Sequence, residues 1–277
     1  MKKYVGFILS LAIGALGGAT IGLFTDFDYL FGHPVSFVVY ILVGLIGGLY
    51  VQLALHEAGH LVFGLYSGYS FQSYRIGSLM WINRNGSIQF KRYELAGTGG
   101  QCLMGPPQMK DGKIPVTLYN LGGILANGIV SVLCLLLYLC IKNPLLQSIV
   151  LMWIIFGILM FLTNGIPMKM GGVANDGYNV FYLSKDLEAV KAFYKQMKIA
   201  ELLSQGVRYK DMPEELFLNR ENADLTNVLI VSVEVFHCNR FMDAHQFEQA
   251  YQKMNDLLQK ETGMLEVHRN QLINDCI

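Results

Sequence analysis

The chain has 277 residues, of which 53% are hydrophobic and 15% charged, with 21 basic residues balancing 21 acidic ones. A net charge of zero argues against a nucleic-acid partner, and five scattered cysteines without C-x-x-C spacing argue against a disulfide framework or a cysteine-ligated zinc. Chains average about 25% charged residues, so this one, with a mean hydropathy of +0.37, has the composition of a membrane protein.

Residues 4–24 form an uncharged run behind Lys2 and Lys3, long enough for one membrane-spanning helix. A signal peptide is the competing reading, but the apolar run exceeds the usual core of about 7–15 residues, so a retained helix is expected. Gly14, Gly17 and Gly18 are placed to allow close helix packing. Residues 25–34 read as a short acidic connection closed by Pro34, with His33 in the loop. The second apolar run, 35–66, would be about 48 Å long as a helix, more than the hydrocarbon core of about 30 Å.

Residues 67–116 change character. Phe71–Ile76 and Ile88–Tyr93 are short, aromatic and partly alternating, and Asn85-Gly86 lies between them. This predicts one β-hairpin, followed by a glycine-rich loop over 97–107. The third run, 117–141, carries Asn120 and Asn127 on one helical face. The fourth, 145–168, holds Asn164 and Pro167 near its end, where proline predicts unwinding. Residues 183–277 lack a 20-residue apolar run and carry 11 basic and 15 acidic residues. They predict four or five amphipathic helices in a soluble unit, with Asp243-x-x-Gln246 as a capping box and Gly206 as a stop. The fold class is therefore an all-α polytopic membrane protein with about four spans, a β-hairpin insertion on the cytoplasmic side and a C-terminal soluble helical region. A membrane domain over 1–182 precedes a cytosolic domain over 183–277. With a cytoplasmic N-terminus, 20 of the 21 Lys and Arg residues fall on the inside. The positive-inside rule thus places both termini in the cytoplasm of a multi-pass cell-membrane protein.

Within the second run lies His56-Glu57-Ala58-Gly59-His60. Residues four apart share a helical face, so His56 and His60 can hold one metal ion, and Glu57 is placed to act as a general base. This is the H-E-x-x-H pattern of zinc metalloproteases. Ionisable residues inside an apolar segment are costly and therefore functional candidates. A catalytic zinc takes three protein ligands, and Asn175-Asp176 after the fourth run offers a carboxylate. Asp176 reads equally as the N-cap of a helix beginning near Tyr178.

The chain resembles the site-2 protease family of intramembrane zinc metalloproteases. His56, Glu57 and His60 match its H-E-x-x-H motif. Asn164, Pro167, Asp176 and Gly177 match its N-x-x-P…D-G motif, and Gly123–Asn127 is similar to its G-P-x-A-N segment, with Ile124 in place of proline. The resemblance covers about residues 35–180. The gap from Pro167 to Asp176 is longer than in many members, and the frequent PDZ insertion is absent. It implies one Zn2+ per chain held by His56, His60 and Asp176, with Glu57 as base. The activity implied is endopeptidase cleavage of a membrane protein or peptide substrate near the cytoplasmic side of the bilayer. Asn164, and more weakly Asn127, are candidate oxyanion donors, and a hairpin edge over 71–93 could hold substrate as an added strand. The alternative is a zinc-binding membrane receptor or accessory protein that does not cleave and whose C-terminal region docks a protein partner.

Overall fold

Apolar runs satisfy their main-chain groups internally as helices. In the computed structural model, which describes the backbone of residues 2–84, 86–93 and 99–276 and side chains from residue 6 onward, each of the four runs is helical. Helix α1 is Lys2–Phe24. A short α2, Phe27–Gly32, is capped by Asp26, whose side chain accepts from the Tyr29 N–H. Pro34 was expected to stop the chain and instead opens α3, Pro34–Val39, because a first-turn residue has no N–H partner to lose. α3 continues through a π-helical stretch, Tyr40–Gly47, into α4, Gly48–Tyr66, a 33-residue helix in all. The widened π turn turns the Val43 carbonyl outward to accept the Trp153 indole N–H at 3.0 Å.

The sheet differs from the expected single hairpin. Strands β1 (Ser70–Ile76), β2 (Leu79–Arg84), β3 (Ser87–Arg92) and β4 (Gly100–Gly105) form one antiparallel sheet in the order β3-β2-β1-β4. Gly86, at φ +84°, belongs to the turn between β2 and β3; Asn85 lies outside the described residues. The two segments expected to pair are separated by β2, whose Trp81 and Ile82 are as strand-like as their neighbours. The glycine-rich stretch expected to be a loop is β4, because its main chain pairs with β1 from Ser70↔Gly105 to Ile76↔Gly100. The rest of that expected loop, residues 97 and 98, lies outside the described residues.

Helices α5 (Val116–Cys140) and α6 (Pro144–Gly165) complete four helices long and apolar enough to cross a membrane. Asn143 caps α6 by accepting from the Leu146 N–H. α6 stops at Gly165, before Pro167, and a small hairpin, β5 (Lys169–Met170) with β6 (Val173–Ala174), leads to α7, Asp176–Tyr182. Four further α-helices follow: α8 (Leu187–Ser204), α9 (Val228–Asp243), α10 (Phe247–Gln259) and α11 (Glu266–Asp275). Gly206, at φ +88°, closes α8. The expected capping box does not form. Asp243 ends α9, and its carboxylate takes the Arg208 guanidinium and the Lys210 N–H, a stronger charge-assisted arrangement. One apolar core joins Tyr69, Met104 and Val116 to Leu183, Val190 and Met197, so α8 packs directly beneath the sheet and the start of α5.

Of the three α1 glycines, Gly17 packs closely against α6, since a Cβ there would lie 3.0 Å from Leu159 Cδ1, whereas nothing lies within 4 Å of a Cβ on Gly14 or Gly18; a tighter approach is elsewhere. It is where α4 crosses α5. A Cβ on Gly59 would sit 2.2 Å from the Gly122 carbonyl oxygen, and one on Gly122 would sit 2.4 Å from that of Gly59. Because the obstacle is backbone, it cannot rotate away. Gly59→Ala is therefore expected to destabilise the protein by at least about 1–3 kcal/mol, read as an earlier thermal transition in detergent, while Gly14→Ala melts like wild type.

Candidate metal centre

Three donor atoms from two distant parts of the chain, α4 and the start of α7, converge. His56 Nε2 lies 3.1 Å and His60 Nε2 3.2 Å from Asp176 Oδ2, and the two Nε2 atoms are 3.2 Å apart. The two histidines reach the same point because α4 places them one turn apart. Gly123 of α5 supplies the space, since a Cβ there would meet His56 Cε1 at 2.5 Å and His60 Nε2 at 2.6 Å.

Each ring is oriented through its other nitrogen. His56 Nδ1 is 2.7 Å from Asn127 Oδ1. The Asn127 amide must present its oxygen there, because Nδ2 donates to both the main-chain and side-chain oxygens of Gln52, each at 2.9 Å. Gln52 in turn donates to the Trp153 carbonyl, so one buried chain of polar groups links α4, α5 and α6. His60 Nδ1 is 2.9 Å from the Tyr119 carbonyl oxygen. Both Nδ1 atoms face acceptors and must carry protons, which leaves Nε2 as the lone-pair nitrogen of a neutral ring.

Asp176 is set by its neighbours. Asn175, not Asp176, is the N-cap of α7, its Oδ1 accepting from Tyr178 N–H and Met168 N–H. Its Nδ2 donates to the carbonyls of Thr163 and Ile166. These four bonds clamp the two ends of the 167–174 excursion together, so the long gap after Pro167 bulges outward as the β5–β6 hairpin and leaves Asp176 beside α6. Gly177 makes this possible, since a Cβ there would lie 2.2 Å from the Gly165 carbonyl oxygen. Burial opposes ionisation of the Asp176 carboxyl; protons on the facing His56 and His60 rings would outweigh it and hold the group well below the usual carboxylate range, and a cation among the three atoms takes the place of those protons.

The result is an ionised oxygen and two imidazole nitrogens crowded together. Asp176 Oδ2 is buried without a well-directed hydrogen bond, an arrangement that is costly unless positive charge sits among the three atoms. A zinc ion bound at about 2.0–2.1 Å in tetrahedral geometry has neighbouring ligand atoms about 3.3 Å apart, close to the separations found. Among the described residues, His56, His60 and Asp176 are the group able to hold a metal ion.

Glu57, next to His56 on α4, lies against β4. A Cβ on Gly100 would lie 3.1 Å from its Oε1. The side-chain amide of Asn164 donates to the Met160 carbonyl within its own helix at 3.1 Å, and Asn127 is fully engaged in orienting His56. His33 contacts the Tyr29 carbonyl, in the α2–α3 connection as expected. Gln52, Tyr119, Gly123 and the clamping role of Asn175 were not singled out from sequence. Gln52 carried a signal, since it is a polar side chain one turn before His56 in an apolar run.

No protein-family model, no curated protein and no solved structure matches this chain.

Orienting partners of metal-bound histidines typically contribute 10–100-fold in affinity. Asn127→Ala is expected to weaken metal binding by about that factor, measured by competition with a chelator. Asp176→Ala, which removes a donor, should lose the metal more completely.

Proposed function

We propose that this chain is a zinc-dependent intramembrane endopeptidase of the site-2 protease type, acting on a membrane-associated protein or peptide. The observation that carries the reading is the donor triangle of His56, His60 and Asp176, with Glu57 adjoining it, on a helix of membrane-spanning length. The helices' outward faces support a bilayer setting. Leu16, Leu23 and Leu139 are each at least 70% exposed, a surface that water would not tolerate over several helices.

When bound, a zinc ion supplies Lewis-acid chemistry, polarising a carbonyl and lowering the pKa of water toward about 7. The chain's own part is proton handling and positioning. Glu57 accepts a proton from the attacking water on a carboxylate oxygen and returns it to the leaving amine. The close passage of Gly100 keeps that carboxylate beside β4. Asn164 would stabilise the developing oxyanion only after its amide turns from the Met160 carbonyl. Strand β1 is interior to the sheet, so the open edges are β3 and β4 rather than the whole of 71–93. β4 is the edge at the site, and a substrate strand added near Gly100 would lie beside Glu57.

The distribution of basic residues supports an orientation with both termini and the sheet in the cytoplasm. Reporter fusions after Lys3, Lys91 and Lys260 should read as cytoplasmic, and those after Asp28 and Lys142 as external. An external signal at Lys91 would contradict this orientation.

Glu57→Gln tests the chemistry. It preserves size and leaves the three donors untouched, so metal content should match wild type. A carboxamide cannot take the water's proton, so cleavage of a membrane-protein substrate should fall about 10²–10⁴-fold. A variant with full metal and wild-type turnover would refute the role of Glu57. A metal-binding receptor that does not cleave would show no shortened membrane protein with either version.

A further inference from the structure

A second cavity, of about 320 Å3, lies between α7 and the C-terminal helices. None of His56, Glu57, His60 or Asp176 lines it. Its walls come from separate elements: Lys169 of β5, Val173 of β6, Tyr178 of α7, Phe193 of α8, Ser232 of α9 and His268 of α11. Its volume is at the lower end of that of small-molecule sites, and a mostly apolar lining with few polar groups is their usual composition.

Among the described residues, two of those polar groups have no ion pair or side-chain hydrogen bond. Among the described residues Lys169 forms no ion pair with a carboxylate. Its ammonium lies over the Tyr178 ring, 4.5 Å from the centroid, which keeps the charge at the cavity wall. His268 Nδ1 is buried and has no hydrogen-bond partner. Several of the other polar side chains are already engaged. Asp186 caps α8 and receives Asn227, Gln196 donates to the Leu229 carbonyl, and Ser232 donates to the Val228 carbonyl. A buried donor or acceptor without a partner is costly, which applies to His268; Lys169 is exposed, and because the Asp186 carboxylate of the same lining already accepts from the Ala189 N–H and Asn227, its ammonium is the charge left to meet an anion on an apolar body.

We propose that this cavity binds a small organic monoanion, an apolar body of aromatic size carrying one carboxylate. The carboxylate pairs with Lys169, the body lies among Tyr178, Phe193 and Val173, and His268 Nδ1 takes one polar contact. A single cation suits a monoanion better than a doubly charged phosphate, which would leave charge uncompensated on transfer from water. The site is separate from the metal centre, and its occupancy is measured without turnover.

The test uses the full-length protein in lipid nanodiscs and 2-naphthoate as probe, by equilibrium dialysis with empty discs subtracted. Wild type should take up 2-naphthoate saturably, one per chain, and bind the neutral 2-naphthylmethanol at least about tenfold more weakly. Lys169→Met should weaken 2-naphthoate about tenfold or more. Val173→Trp alters a side chain that is 56% exposed, so the fold should tolerate it while the indole fills the cavity and abolishes binding. Both variants should retain wild-type metal content, which reports that the fold is intact. Absence of saturable uptake by wild type, or uptake unchanged in both variants, would overturn the proposal.

Discussion

The orientation of two imidazole rings inside an apolar helix packing is the constraint on which the remainder of this structure depends. A histidine in such surroundings is tolerated only if both nitrogens have a destination. His56 and His60 send Nδ1 to Asn127 and to the Tyr119 carbonyl. Both acceptors belong to α5, so α5 must lie against α4 closely enough to be reached by short side chains. The paired glycines Gly59 and Gly122 permit that approach, and Gly123 leaves room for the rings themselves. Packing and polar satisfaction are thus one requirement, and the freed Nε2 atoms are its chemical consequence.

The third donor comes from a less regular part of the chain. A carboxylate at the start of a short helix would be poorly placed if only its neighbours in sequence held it. Asn175 supplies what is missing by hydrogen-bonding to both sides of the 167–174 excursion. A second link, Asn179 to Asn120, ties the same short helix to α5. α7 is therefore held to both α5 and α6, and Asp176 can face two lone-pair nitrogens without being driven apart from them.

The sheet and the C-terminal helices form a layer against this assembly. Tyr74 of β1 donates to the Ala54 carbonyl at 2.5 Å, so the sheet lies along α4 beside the site. On its other side, Glu201 of α8 is buried and receives Lys198 and Gln72. That polar contact, together with the core running from Tyr69 to Met197, makes the C-terminal helices a support for the sheet as well as a wall of the second cavity.

Much of the architecture was legible in residue order alone. Four apolar runs had to become helices, because no other conformation satisfies an apolar segment's main chain internally. Helical periodicity put His56 beside His60 before any tertiary contact was known. The same periodicity put Asn120 and Asn127 on one face, which turns out to face α7 and His56. Composition misled where pairing decides conformation: Gly100–Gly105 looks like loop yet is a strand, because β1 offers it a ladder of hydrogen bonds, and β2 was overlooked between two better-signalled neighbours. The choice between Asp176 as cap and Asp176 as donor was also beyond the sequence. Asn and Asp cap helices about equally well, and only the folded chain assigns that duty to Asn175. Local periodicity determined which residues could share a helix face. Contacts between residues far apart in the chain decided which nitrogens carry protons, which carboxylate is left over, and where the three donors meet.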